Sequence, residues 1–250
     1  MRRTRTVESL FGLLALAIGI AVACLCGTAH AAVLWTNPSG STTNYDYSEG
    51  NTDNQLFVPA GNVNQPIATP NGIVFFPTNF KAASSNGNAN QISDTLRFKL
   101  TVKPGKNLVG FAVEERGDYS IQGSGGAHTG VKAYGELLLV NLVTGAVLTS
   151  TLTAVPPTPV ALTQGIGITS GQGEWIAQQT IVPIPAGWTQ VQVILNNILQ
   201  TSTDANTNAF IEKKFVGPPV EFSFIIPEPA SIGLLVGAAM LLMRRRAASI

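Results

Sequence analysis

The sequence predicts an all-β protein: an antiparallel β-sandwich, jelly-roll-like, over residues 32–226, flanked by an N-terminal signal helix and a short C-terminal apolar helix. Three observations point there. Apolar and polar residues alternate in several short segments, turn-forming Gly, Pro and Asn separate them, and no sustained helical periodicity crosses the interior.

Taken in order, the first strands of the interior are short and set between long polar loops, with Ile73 to Phe76 as an example. In Leu96-Arg97-Phe98-Lys99-Leu100-Thr101-Val102-Lys103 every second residue is apolar, the mark of a strand with one face buried. Pro104-Gly105 ends it, and Leu108 to Val113 follows at once, so a hairpin is expected. Glu136 to Val143, Thr144-Gly145 and Ala146 to Leu152 read as a second hairpin. Val191, Val193 and Leu195 mark a further strand; Phe222, Phe224 and Ile226 mark the last. Turn-rich loops lie at Ser84 to Asn90, Gly123 to Gly130 and Ala154 to Pro159. No repeat of fixed period is visible, which disfavours a solenoid or propeller.

A chain of 250 residues with a signal at each end holds one ordinary domain. Its positive mean hydropathy owes much to the terminal segments. Residues 32–226 carry nine basic and twelve acidic side chains, a balance of −3. That balance lacks the clustered Lys and Arg of a nucleic-acid footprint and the polybasic patch that anionic lipid attracts. Both cysteines, Cys24 and Cys26, lie in the N-terminal apolar run, so their removal takes disulfides, thiolate catalysis and cysteine-bound zinc together. One histidine, His128, remains in the interior.

Arg2-Arg3-Thr4-Arg5, an apolar run from Leu10 to Cys26, and Ala29-His30-Ala31 form a three-part secretory signal. Cleavage by signal peptidase is expected after Ala31. The alternatives are an uncleaved anchor, since the run is long for a signal core, and lipoprotein processing at Cys24 or Cys26. Ala21 stands where a lipobox usually has Leu, which speaks against the second.

At the other end Pro227-Glu228-Pro229 precedes apolar residues 230–243 and then Arg244-Arg245-Arg246. Fourteen helical residues span about 21 Å, short of the roughly 30 Å of a bilayer core. Three arginines beyond them obey the positive-inside rule for a chain arriving from outside. Physically this is a stop-transfer segment; the alternative is a plain tail anchor behind a proline-containing linker.

In order, spacing and position these last 24 residues resemble the PEP-CTERM sorting signal. The resemblance implies a partner, exosortase, an integral-membrane, transpeptidase-like enzyme acting near Pro227-Glu228-Pro229. It implies transient insertion in the inner membrane through 230–243, and then a place at the cell surface or in an extracellular polysaccharide matrix, as in a biofilm. Ala209 to Phe215 is also similar to the closing strands of other PEP-CTERM passengers, which implies shared architecture alone. Lys213 and Lys214 within it are two cations, too few to argue for acidic polysaccharide.

Catalytic signatures are absent from the sequence: no Gly-x-Ser-x-Gly elbow, no Walker loop, no His-Glu-x-x-His. His128, in Gly-Gly-Ala-His-Thr-Gly, reads as a solvated loop residue. A glycosidase needs two acids. Glu114 and Glu115 are neighbours on a strand and point to opposite faces, which leaves Glu115 with Glu136 or Glu174 as candidate pairs. A carbohydrate-binding module needs exposed aromatics, for which Tyr45, Tyr47, Trp175 and Trp188 are candidates, with Asn196 and Asn197 as hydrogen-bonding partners. The competing reading places Trp188 across the core and lets Trp35 pin the N-terminus. Asp46, Glu49 and Asp53 supply oxygen ligands at a density that suits calcium, although the spacing matches no EF-hand and a polar turn explains it equally well. The expectation is a non-catalytic exported protein without a cofactor, with a carbohydrate-binding module as alternative and a glycosidase behind it.

Overall fold

The computed structural model describes residues 32–58, 66–123, 128–154, 171–213 and 220–227. The signal segment with Ala29 and Ala31, the residues Glu228 and Pro229, the apolar stretch 230–243, the arginines 244–246 and Lys214 lie outside the described residues. Among those described, the chain is strand and turn with no helix, and none is long and apolar enough to cross a membrane.

The strands are β1 (Val33–Leu34), β2 (Gly40–Ser41), β3 (Tyr45–Thr52), β4 (Ile67–Thr69), β5 (Gly72–Phe75), β6 (Lys81–Ser85), β7 (Ala89–Val102) and β8 (Gly110–Gln122). They continue as β9 (Gly130–Asn141), β10 (Val147–Thr151), β11 (Thr153–Ala154), β12 (Gly171–Ile181), β13 (Gln190–Ser202), β14 (Asn208–Glu212) and β15 (Val220–Ile225). Two antiparallel sheets result. One runs β1-β3-β7-β13-β9-β10, with β2 beside β3; the other runs β11-β12-β8-β15-β5-β4, with β14 between β8 and β6. The protein is a β-sandwich.

Strict alternation explains why the sheets face each other. On the first sheet Leu96, Phe98 and Leu100 of β7, Leu137 and Leu139 of β9, and Val191, Val193 and Leu195 of β13 are all buried. On the second, Phe111 and Val113 of β8, Ile73 and Phe75 of β5, Ile211 of β14, and Phe222 and Phe224 of β15 meet them. Aromatic rings lock the layers edge to face. Phe98 lies 5.4 Å from Phe222 at 83°, and Trp35 lies 5.1 Å from Phe75 at 72°. Such pairs each add about 0.5–1.5 kcal/mol beyond the area they bury.

The expected second hairpin is present: Val147 pairs with Val140 and Thr151 with Glu136, around a turn in which Gly145 takes φ 75°. The expected first hairpin is not. β7 and β8 lie in different sheets, β7 between β3 and β13 and β8 between β12 and β15 and against β14. Both strands present apolar faces, so the turn at Pro104-Gly105 can close the core by crossing from one sheet to the other as well as by folding back. Strand ends also run further than alternation marks them. Residues 89–95 of β7 are largely polar, yet they pair with β13 from Asn90↔Thr201 to Thr95↔Asn196, held by the main-chain ladder.

Candidate functional site

Strand parity places a few polar side chains where the apolar pattern calls for hydrocarbon. Glu115 follows Phe111 and Val113 on the inward face of β8. Asn197 follows Val193 and Leu195 on β13, and Lys213 continues the face of Ala209 and Ile211 past the end of β14. The three meet between the sheets. Lys213 Nζ donates to Glu115 Oε2 at 2.6 Å, with side chains 0% and 1% exposed. Asn197 Nδ2 donates to the other oxygen, Oε1, at 2.5 Å.

The surroundings are aromatic. Lys213 Nζ lies 5.1 Å from the Trp175 ring, 5.2 Å from Phe80 and 5.9 Å from Phe57. Trp175 is fixed in turn by donating its indole N–H to the Glu212 carbonyl at 3.2 Å. Gly117, opposite Trp175 on β8, makes this possible, because a Cβ there would stand 1.9 Å from the Glu212 carbonyl and 2.5 Å from the indole nitrogen. Burial pulls the Lys213 ammonium below its ordinary pKa, against the opposing attraction of Glu115. The Asn197 carbonyl oxygen is buried with no hydrogen-bond partner among the described residues.

Asp94, also at inward parity, anchors the neighbouring segment. Its carboxylate accepts from the backbone N–H groups of Asp53, Asn54, Leu56 and Thr95 at 2.8–2.9 Å, and from that of Phe57 at 3.4 Å. Burial raises its pKa, against those hydrogen bonds. Phe57 is thereby held against Phe80, 5.1 Å between ring centres, on the lysine's flank.

Several expected site residues have other roles. Tyr45, Tyr47, Trp175 and Trp188 are all buried, so none offers a face to a sugar ring. Tyr45 packs edge to face on Phe224 at 4.8 Å, and its hydroxyl reaches the Gly72 carbonyl at 2.5 Å. Parity is the cause for Tyr45 and Tyr47 on β3 and Trp175 on β12, which occupy inward positions, while Trp188 is buried from the loop before β13; in each place the ring's area is worth most in the core. Asn197 is likewise buried, in mid-strand, while Asn196 is half-buried on the opposite face.

Asp46, Glu49 and Asp53 do not converge on a cation site. Each takes its own partner on β7 or directly after it: Lys103 at 2.6 Å, Lys99 at 2.5 Å and Arg97 at 2.5 Å. No cluster of three or more metal-ligating side chains occurs among the described residues. The candidate acid pairs also separate. Glu115 points between the sheets, Glu136 faces outward on the other sheet, and Glu174 is exposed beside Asp118. His128 has an exposed side chain, and its main chain is tied to Asp204 and Ser202.

On the outer face of the second sheet Phe210, half-exposed, lies among Ser84, Ser120, Gln122 and Asn208 in an open concavity of about 370 Å³. Alternation did not single out this face, because its one aromatic sits among small polar residues.

No protein-family model matches the chain, and no curated protein matches it. Solved structures give distant likenesses. The carbohydrate-binding module TmCBM61, in complex with β-1,4-galactotriose, aligns with TM-score 0.25 at 10% identity over 76% of this chain and 96% of that one. An infectious bursal disease virus Gt strain structure aligns with TM-score 0.19 at 11% identity, over 75% of this chain and 56% of that one. Values this low carry no functional argument.

Proposed function

We propose that the chain is an exported, non-catalytic β-sandwich protein, delivered by an exosortase-type system to the cell surface or to an extracellular polysaccharide matrix. The supporting observation is where the last strand of the sandwich ends. β15 ends at Ile225 with its ladder to β5 and β8 complete, and the Pro-Glu-Pro motif begins two residues later at Pro227. A processing enzyme therefore meets its motif directly beyond a finished domain. The interleaved orders β5-β15-β8-β12 and β7-β13-β9-β10 support a jelly-roll connectivity for the passenger. Its non-catalytic character is supported by the use of Glu115 and Asp94 in buried contacts and of Asp46, Glu49 and Asp53 in ion pairs within the chain. Deleting residues 227–250 should abolish C-terminal processing and change the protein's location; unchanged processing and location would overturn the sorting reading.

A second reading, carbohydrate binding, is favoured by the Phe210 concavity, where one aromatic face stands among hydroxyl and amide groups. Phe210→Ala should then abolish retardation on polysaccharide affinity gels while leaving the melting temperature within a few degrees. Equal retardation of the variant would remove this site.

A further inference from the structure

The Glu115 cluster puts an amine and a carboxamide side by side on one carboxylate, inside a hydrocarbon shell. We propose that Lys213 and Asn197 become joined by an intramolecular isopeptide bond, formed by attack of Lys213 Nζ on the Asn197 side-chain carbonyl carbon, with Glu115 as proton shuttle and ammonia as leaving group.

Glu115 touches both nitrogens between which protons must move. Glu115 Oε2, 2.6 Å from Nζ, is within range for a general base to take a proton from the ammonium. The neutral amine that results is the form that burial away from water favours, and desolvated lysine is a competent nucleophile. Its lone pair forms the new C–N bond at Asn197 Cγ, and the carbonyl π pair moves to Oδ1. Glu115, now a carboxylic acid 2.5 Å from Asn197 Nδ2, gives its proton to that nitrogen. The carbonyl then re-forms, and the C–Nδ2 bond breaks with its electron pair going to nitrogen. Nδ2 thus leaves as ammonia, and Glu115 takes the surplus proton from Nζ and ends as a neutral carboxylic acid. Atoms and electrons balance without an oxidant, reductant or further reactant.

Two features favour the bond over a permanent ion pair. Among the described residues Lys213 Nζ makes one hydrogen bond, although an ammonium has three donors to satisfy. Asn197 Oδ1 makes none. A buried charge pair with unmet hydrogen-bonding capacity is costly, and a neutral amide removes the lysine's charge from the core permanently. The bond also links the two sheets, since Asn197 lies on β13 of one while Glu115 on β8 and Lys213 after β14 belong to the other. Beyond residue 26 the chain has no cysteine with which to make a disulfide staple.

Mass spectrometry of the purified full chain tests the proposal. The intact mass should fall short of the sequence mass, after allowance for terminal processing, by one ammonia, about 17 Da. After denaturation and cleavage following glutamate, residues 175–212 and 213–221 should remain joined, the link mapping to Asn197 and Lys213. Glu115→Gln, which keeps the shape and removes the shuttle, should show the full mass and two separate peptides. A wild-type chain that yields separate peptides overturns the proposal, including one that has lost ammonia by cyclisation at an asparagine alone. So does a Glu115→Gln chain that remains cross-linked. If that variant does not fold, the wild-type peptide map decides the matter.

Discussion

Two sets of carboxylate–cation contacts in this molecule have nearly the same length and very different surroundings. Along the β3–β7 pair Asp46, Glu49 and Asp53 meet Lys103, Lys99 and Arg97 at 2.5–2.6 Å, with side chains 21–60% exposed. Between the sheets Glu115 meets Lys213 at 2.6 Å, with both side chains essentially inaccessible. Water screens the first set, and each pair there contributes little after side-chain ordering is counted. The second is shielded from water, so removing one partner strands a charge in hydrocarbon. Distance alone does not rank these contacts; solvent does.

The widest separation between the two regions should come from Glu115→Ala. Loss of the buried carboxylate leaves Lys213 without its partner, and denaturant unfolding should show a loss of about 3–5 kcal/mol. A loss below about 1 kcal/mol would mean that water reaches the site and that the contrast fails.

Asp94→Asn should follow. One oxygen of the carboxylate accepts from Asp53, Asn54 and Thr95 and the other from Leu56 and Phe57, and an amide nitrogen cannot accept. Roughly 2–3 kcal/mol should be lost, with faster amide exchange over residues 53–57. The variant also carries a pH signature. Burial holds the Asp94 pKa above its ordinary value, so between the two values the folded state keeps a proton that the unfolded chain has released. Wild-type stability from this group therefore declines as pH rises through that window, and the gap to Asp94→Asn should narrow. A gap that widens there would reverse the assignment of burial as the dominant influence.

Lys99→Ala should do least. Its pair with Glu49 is exposed, so the change should stay within about 1 kcal/mol and shrink further in high salt. A loss comparable to that of Glu115→Ala would erase the distinction between surface and interior.

Much of the sandwich is legible in the sequence because a strand with one buried face writes its geometry as a period of two. Leu96 to Val102, Val191 to Leu195 and Phe222 to Ile226 each carry that period, and each is inward-facing in the fold. The same parity bears on the interior cluster. Asp94, Glu115, Asn197 and Lys213 stand where their strands' alternation calls for apolar residues, and a polar residue at such a place must find a partner indoors. What parity lacks is distance. It marks Glu115 and Lys213 as inward and is silent on whether they meet, because 98 residues separate them in the chain. Composition misled in the opposite sense at Tyr45, Tyr47, Trp175 and Trp188: aromatic residues suit a sugar face and a core equally, and inward position decides.

By itself the sequence determined the strand-rich class, the hairpin at Thr144-Gly145, the absence of cysteine beyond Cys26 and the order of residues at the two ends. These are local properties, set by side-chain period, turn chemistry and residue type. Only the tertiary structure decided that β7 and β8 part into different sheets, that Asp46, Glu49 and Asp53 each pair with a separate cation between Arg97 and Lys103, and that a glutamate, a lysine and an asparagine share one dry pocket. The reason is physical. Sheet pairing and burial depend on which distant segments exclude water together, and a local pattern of alternation does not encode that choice.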